Sequence, residues 1–98
     1  MRSQFAGNIS YNRFTAQNYS FSAPYAHFFF IIAAYNSTVS SKIPTCTAAS
    51  GTVTTILSTY NAYMKLGVFE ITCTVGTTIS GNHSGNADLD YCASLELS

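Results

Sequence analysis

Two stretches near the C-terminus, FEITCTVGTTI at residues 69–79 and ADLDYCASLEL at residues 87–97, alternate apolar and polar side chains. In both stretches most of the apolar side chains occupy the odd-numbered positions. Successive side chains of a β-strand point to opposite faces of the sheet, so this period of two predicts two half-buried strands. The residues between them, 80–86, are Ser, Gly, Asn and His, which are typical of a turn.

The simplest arrangement of these two strands is a hairpin that turns through residues 80–86. Pairing of like faces then places Cys73 opposite Ala93, with Cys73 in the core and Cys92 on the polar face. Because the two thiols would point to opposite faces, we expect no disulfide between Cys73 and Cys92.

One pair in this hairpin is unfavourable. The same register puts Glu70 opposite Glu96, and two like charges in a cross-strand pair repel each other. Either the two strands are not neighbours, as Greek-key topologies allow, or a cation such as Lys65 lies beside them.

The rest of the chain is divided by glycine and proline into runs of strand-plus-turn length. Inside these runs Val, Ile, Thr, Tyr and Phe predominate, as they do on pleated surfaces. We therefore predict one all-β domain over residues 1–98, an antiparallel β-sandwich or a jelly-roll-like domain. The dividing positions are Gly7, Pro24, Pro44, Gly51 and Gly67.

Residues 53–66 allow an alternative, an α+β fold with one helix in this segment. Their larger apolar side chains follow the i, i+3, i+4 spacing of a helical stripe, and Gly67 could cap the helix. Against the helix, Thr52–Ile56 is a β-branched run, which helices tolerate poorly. The all-β interpretation is favoured.

The most apolar run is AHFFFIIAA at residues 26–34. It has less than half of the roughly twenty residues that a helix needs to cross a bilayer. We expect a core strand here and no membrane span.

Charged residues are unusually scarce. They make up 8% of the 98 residues, where a typical soluble domain has roughly a quarter. Four basic and four acidic residues give a net charge of zero. The polar surface is therefore built from hydroxyls and amides, which cost less to desolvate than ions do. Such a surface favours contact with proteins or sugars, while four scattered cations are too few to bind a nucleic-acid backbone.

No motif for catalysis or for a cofactor withstands inspection. Gly76–Gly81 has the glycine spacing of a phosphate-binding loop but lacks the lysine that follows it. His83 and Ser84 are adjacent on a turn, which does not supply the geometry of a nucleophile elbow. The three cysteines contain no Cys-x-x-Cys pair, so neither a zinc site nor a redox pair is indicated. We expect no enzyme, no cofactor and no metal.

Four residues near the predicted turn carry oxygen ligands of the kind that calcium prefers. EF-hand spacing is absent, and we interpret the two aspartates as a solvated acidic edge that discourages aggregation between strands. These residues are Asn82, Asn86, Asp88 and Asp90.

Tyrosines flanked by Asn or Ser give the one positive indication of binding, since this mixture is typical of adaptable interfaces and of sugar-stacking platforms. Together with the four oxygen-bearing residues near the turn, they form the predicted interface or ligand-binding set. The tyrosines are Tyr11, Tyr19, Tyr35, Tyr60 and Tyr63.

These observations favour a structural or attachment module of a repeated assembly, such as a virion coat, a phage fibre or a surface filament. Its partners would be copies of itself or other proteins of the assembly, and its place extracellular or on a virion surface. The alternative function is a small carbohydrate-binding module with glycans as its ligands.

Overall fold

A computed structural model describes residues 4–14, 18–36, 43–82 and 89–98. The described residues form eight β-strands, and none of them is helical, which confirms the predicted all-β class. The strands are β1 (Phe5–Asn12), β2 (Asn18–Ser22), β3 (His27–Tyr35), β4 (Thr45–Ala48), β5 (Thr52–Asn61), β6 (Met64–Thr72), β7 (Thr78–Asn82) and β8 (Leu89–Leu97).

The strands form two antiparallel sheets that pack as a β-sandwich. The large sheet has the order β1-β8-β3-β6-β5, and the small sheet has the order β2-β7-β4. The pairs β1–β8, β2–β7 and β3–β6 are those of one long hairpin rolled up on itself, which is the strand order of a jelly roll. The last pair of such a roll would be β4–β5, but β5 instead pairs with β6 through a tight turn at residues 62–63.

The apolar run around residues 26–34 forms β3, the central strand of the large sheet, as predicted for a core strand. Its side chains at Phe28, Phe30 and Ile32 are fully buried. The Phe30 ring lies 4.8 Å from that of Phe21 and 5.5 Å from that of Tyr19, both on the small sheet, so this ring joins the two sheets.

The segment that could have been a helix is the β5–β6 hairpin, so the helical alternative is wrong. The pairing of β5 with β6 shifts register between Thr55 and Leu57, which marks a bulge at Ile56. Val53 lies before the bulge on the inner side of the sheet, and Leu57 lies after it opposite Val68 on the other side. This change of face produced the apolar spacing that imitates a helical stripe.

The predicted hairpin between residues 69–79 and 87–97 is also wrong. β6 ends at Thr72, and the chain turns where the Thr77 amide donates to the Thr74 carbonyl oxygen (3.0 Å) and Gly76 adopts a φ of +92°. β7 then enters the small sheet, while β8 lies between β1 and β3 in the large sheet. The two strands are not neighbours, which was the first of the two explanations for the Glu70–Glu96 conflict.

The face assigned to Cys92 is corrected as well. Cys92 pairs with Ile32 and is only 3% exposed, whereas Tyr91 pairs with Ala33 and is 61% exposed. The even-numbered residues at the start of β8 therefore face the core. Alternation did not reveal this because Tyr91 and its neighbours on the opposite face are themselves apolar. Cys46, Cys73 and Cys92 are free thiols in this structure.

Candidate functional site: the outer face of the large sheet

The side chains of the large sheet that point away from the small sheet form the most distinctive surface of the molecule, which we call the outer face. Strand register defines its members, because residues paired across neighbouring strands share a face. They are Ile9 and Tyr11 on β1, Tyr91, Ala93 and Leu95 on β8, His27, Phe29, Ile31, Ala33 and Tyr35 on β3, Met64, Leu66, Val68, Glu70 and Thr72 on β6, and Thr52, Thr54, Leu57, Thr59 and Asn61 on β5.

Several of the largest apolar side chains of this face are open to solvent. Tyr11 is 76% exposed and Met64 is 52% exposed, and Tyr91 is similar to them. On the opposite side of the large sheet, Ile32 on β3 and Phe69 on β6 are at most 1% exposed. The large sheet is therefore apolar on both sides but covered on one.

The outer face is about as large as the largest apolar patch on a typical monomer. Five strands spaced about 4.8 Å apart span roughly 24 Å, and the seven residues from Phe29 to Tyr35 span about 23 Å. The product is roughly 550 Å², near the upper end of the 300–600 Å² that is typical of the largest apolar patch on a monomer. Patches of this size commonly mark a site of interaction.

Two depressions share Ala33 as part of their floor. One, of about 630 Å³, lies between the rings of Tyr11 and Tyr91 over Ile31 and Ala93. The second, of about 380 Å³, lies beside Met64 and Leu66 on the β5–β6 side. The outer face is thus an aromatic ridge on β1 and β8 next to an aliphatic shelf on β6, with small side chains between them.

Charge is confined to the ends of the outer face. Among the strand residues that the structure describes on it, the one carboxylate is Glu70, which lies 2.7 Å from Nε2 of the half-buried His27. At the opposite end Arg13 places its guanidinium 5.2 Å from the centroid of the Tyr91 ring and donates from Nε to the Asp90 carbonyl oxygen (3.1 Å). The centre of the face carries only apolar groups.

Two of the few ions of this chain are inside the sandwich. Lys65 and Asp90 are each 1% exposed, and strand register places them on either side of Ala34 on the inner side of the large sheet. Lys65 holds its Nζ 4.8 Å above the Tyr60 ring, and the Asp90 carboxylate accepts from the Phe14 amide at 3.0 and 3.1 Å. The surface is therefore even poorer in ions than the composition alone implies.

The structure brings some of the predicted tyrosines to this face or to its border. Tyr11 and Tyr35 lie on it, and the ring of Tyr63 packs 6.3 Å from that of Tyr35 at the β5–β6 turn. Tyr60 lies next to Lys65 at the same end. Tyr19 does not belong to a surface: it is 3% exposed, and its hydroxyl donates to the Thr45 carbonyl oxygen (2.6 Å). Burial raises the pKa of Tyr19 well above its usual range.

The polar residues of the predicted set do not join the tyrosines. Asn82 ends β7 in the small sheet and donates from Nδ2 to Asn18 Oδ1 (3.1 Å). Asp90 is buried, so the prediction that it forms a solvated acidic edge is wrong. Asn86 and Asp88 lie outside the described residues.

Sequence reasoning missed the residues that make the outer face continuous. The signal was present in the run at residues 26–34, where both parities are apolar, since a strand with one wet face should alternate with polar residues. The missed residues are Ile9, Phe29, Ile31, Ala33, Leu57, Met64, Leu66, Val68, Tyr91, Ala93 and Leu95.

The structure offers few groups for chemistry. Within residues 4–14, 18–36, 43–82 and 89–98, no three His, Cys, Asp or Glu side chains gather as a metal site would require. The same part of the chain contains no helix long and apolar enough to cross a membrane. Burial, followed by the nearby charge of Asp90, raises the pKa of the Cys92 thiol to about 12, so this thiol stays protonated near neutral pH.

No protein-family model matches this chain, and no curated protein or solved structure matches it significantly.

Proposed function

We propose that this domain is a non-enzymatic structural module of a repeated assembly, and that it associates with other protein subunits through the outer face of the large sheet. The observation that carries the proposal is the continuity of apolar side chains across β1, β8, β3 and β6 on this face, which Leu57 extends to β5. A virion coat, a phage fibre or a surface filament is the kind of assembly that such a module would serve, and its place would be extracellular or on a virion surface.

The composition of the outer face supports a protein partner. The central part of protein interfaces is poor in charge and enriched in aromatic residues and Met, and the rim is polar. The outer face has Tyr11, Tyr91 and Met64 in exposed positions, and its charged groups at Glu70 and Arg13 lie near its ends. Covering this face removes apolar area from water and desolvates few ions, so both contributions favour association.

The sugar-binding alternative receives less support. A lectin-like site needs hydroxyl-binding acceptors beside its aromatic platform, and the candidates Asn82 and Asp90 are respectively on the small sheet and buried in the sandwich. Among the described residues of the outer face, Tyr11 and Tyr91 lie beside Ile31 and Ala93, which suit a protein surface better than a glycan.

Multi-angle light scattering after gel filtration tests the proposal. We expect the purified chain to elute as an oligomer, and Tyr91→Asp to shift it towards the monomer, because the new carboxylate would lose its water in the contact. The matched control is Val75→Asp, which makes the same change from apolar to acidic at an exposed turn outside the large sheet. An oligomer that responds equally to both variants, or a monomer at every concentration, would contradict the proposal.

A further inference from the structure

We infer that the partner seated on the outer face is a second copy of this chain, related by a two-fold axis that runs along β3. This inference rests on the proposed function and adds to it the identity of the partner and the register of the contact. In this arrangement β8 of one copy covers β6 of the other, and β1 covers β5.

The position of β3 supports this axis. β3 is the middle strand of the five, with two strands on each side of it. A two-fold axis along the middle strand superimposes the whole width of both faces, whereas an axis along an edge strand would leave about half of each face exposed. A closed two-fold contact uses the same patch on both copies, so no apolar face is left over to form open chains.

The area reaches the lower limit that is expected of a biological contact. Each copy contributes roughly 550 Å² of face by strand geometry, so a dimer would cover about 1,100 Å² in total. A biological interface is expected to exceed about 1,000 Å². Two sheets that pack face to face lie about 10 Å apart with their strand directions within about 30° of each other. An axis along β3 keeps the two β3 strands parallel, and the twist of each sheet makes the ends of the face diverge, so the middle of the face is best covered.

The relief of the face fits this register. The aromatic ridge of Tyr11 and Tyr91 lies on the β1–β8 side, and the shelf of Met64 and Leu66 lies on the β6 side. Rotation about β3 brings the ridge of each copy over the shelf of its partner. At equal levels along the strands, Leu66 then lies over Tyr91 and Val68 lies over Ala93, both of which line the 630 Å³ depression. The Tyr91 ring lies against the 380 Å³ depression, and both contacts occur twice by symmetry.

The charges are compatible with the same register. The contact is centred on Ile31 and Ala33, and the Glu70–His27 pair lies at the end of the face where the sheets diverge and solvent remains. A competing two-fold axis runs perpendicular to the strands at the level of Tyr11. It would place each aromatic ridge against the same ridge of the partner, and both shelves would then lack a complementary surface.

Cysteine crosslinking distinguishes the two axes. In a Cys46→Ala, Cys73→Ala background the introduced thiol is the reactive one, because Cys92 is buried. Ala33→Cys lies on the proposed axis, so a short bifunctional maleimide should join it to its own copy in the partner. Tyr11→Cys is the control, because the proposed axis separates the two copies of β1 by roughly 19 Å across the sheets.

A mixture of Val68→Cys and Ala93→Cys provides the second test, because both residues pair with Ile31 and therefore lie at the same level along the strands. The proposed register brings β6 of one copy over β8 of the other, so the mixed sample should give at least about tenfold more crosslinked dimer than either variant alone. Ile31→Cys, also on the axis, replaces Ala33→Cys if that variant loses its cooperative thermal transition.

The outcomes separate the inference from the proposed function. Crosslinking at Ala33→Cys without crosslinking at Tyr11→Cys supports the axis along β3. An oligomer in which Tyr11→Cys crosslinks, or in which Ala33→Cys and Ile31→Cys do not, overturns the axis but leaves an assembly module. A chain that stays monomeric overturns both.

Discussion

The two sides of β3 carry equally apolar side chains, but only one side is covered. The side facing the small sheet is fully buried at Phe28, Phe30 and Ile32. The other side is only half-buried at Phe29 and Ile31. The difference is produced by topology, because the small sheet has three strands and covers one face of a five-stranded sheet. The apolar side chains show that burial of either surface would be favourable. The arrangement of the two sheets decides which of the surfaces is buried within a single chain.

The most direct test of the difference between the two sides of β3 is to truncate one phenylalanine on each side. We expect Phe30→Ala to lower the free energy of unfolding by about 3–5 kcal/mol, because it removes the ring that joins the sheets and leaves a cavity. Phe29→Ala should cost about 1–2 kcal/mol, because that ring is already partly in water. Urea unfolding of both variants measures the difference, and equal losses would show that the two faces are not distinct.

A second test concerns the ions inside the sandwich. Asp90→Ala removes the acceptor of the Phe14 amide at 3.0 and 3.1 Å and takes one charge from the interior. We expect a loss of about 2–3 kcal/mol, as is typical when a hydrogen bond to a buried charge is deleted. Asp90→Asn keeps an acceptor oxygen and should lose less. A loss below about 0.5 kcal/mol for Asp90→Ala would mean that this carboxylate is not held as described.

On the outer face the effect should appear in association and hardly in stability. Tyr91→Asp should raise the dissociation constant of the oligomer by about thirtyfold, which corresponds to about 2 kcal/mol. The free energy of unfolding of its monomer should change by only about 0.5 kcal/mol, since the side chain is exposed. Dilution experiments and urea unfolding give the two numbers, and a change confined to stability would assign Tyr91 to the fold.

The smallest effect is expected from the thiol on the covered side. Burial and the Asp90 charge raise the pKa of Cys92 from 9.0 to about 12, so the folded state favours the protonated thiol. This contribution to stability is complete below about pH 9 and is lost as the pH rises towards 12. At pH 10 the loss should be about 1 kcal/mol relative to pH 8.

The variant Cys92→Ala isolates that contribution. It should be less sensitive than the native chain to the change from pH 8 to pH 10, although its stability at pH 8 is lower. Guanidinium unfolding at both pH values gives the comparison, and an identical pH dependence in the two proteins would exclude Cys92 as its source.

The sequence was sufficient to predict the strand class, and β3 (His27–Tyr35) and β8 (Leu89–Leu97) lie where strands were expected. It was insufficient to predict pairing, because an alternating pattern shows that a residue is in a strand but not which strand lies beside it. In residues 69–79 the apolar–polar alternation of the sequence continues without a break, although the chain leaves the large sheet and enters the small one. The turn that separates the two strands is marked in the sequence only by Gly76.

The candidate site could be predicted only in part, for a related reason. Tyr11 and Tyr35 are exposed as expected, but Tyr19 has an equally polar sequence context and lies in the core. Its hydroxyl is satisfied by the Thr45 carbonyl oxygen, a contact between β2 and β4 that depends on tertiary structure. Cys92 was assigned to the wrong face because the start of β8 buries the polar Asp90 and Ser94 and exposes the apolar Tyr91, so the alternation is inverted there.

Sedimentation equilibrium of the unmodified chain tests the central claim most directly, because it measures molar mass without relying on a variant. If the outer face is a surface for association, the mass should rise with concentration to that of a dimer or a larger closed oligomer. A single species of 10.6 kDa at all concentrations up to millimolar would contradict the account.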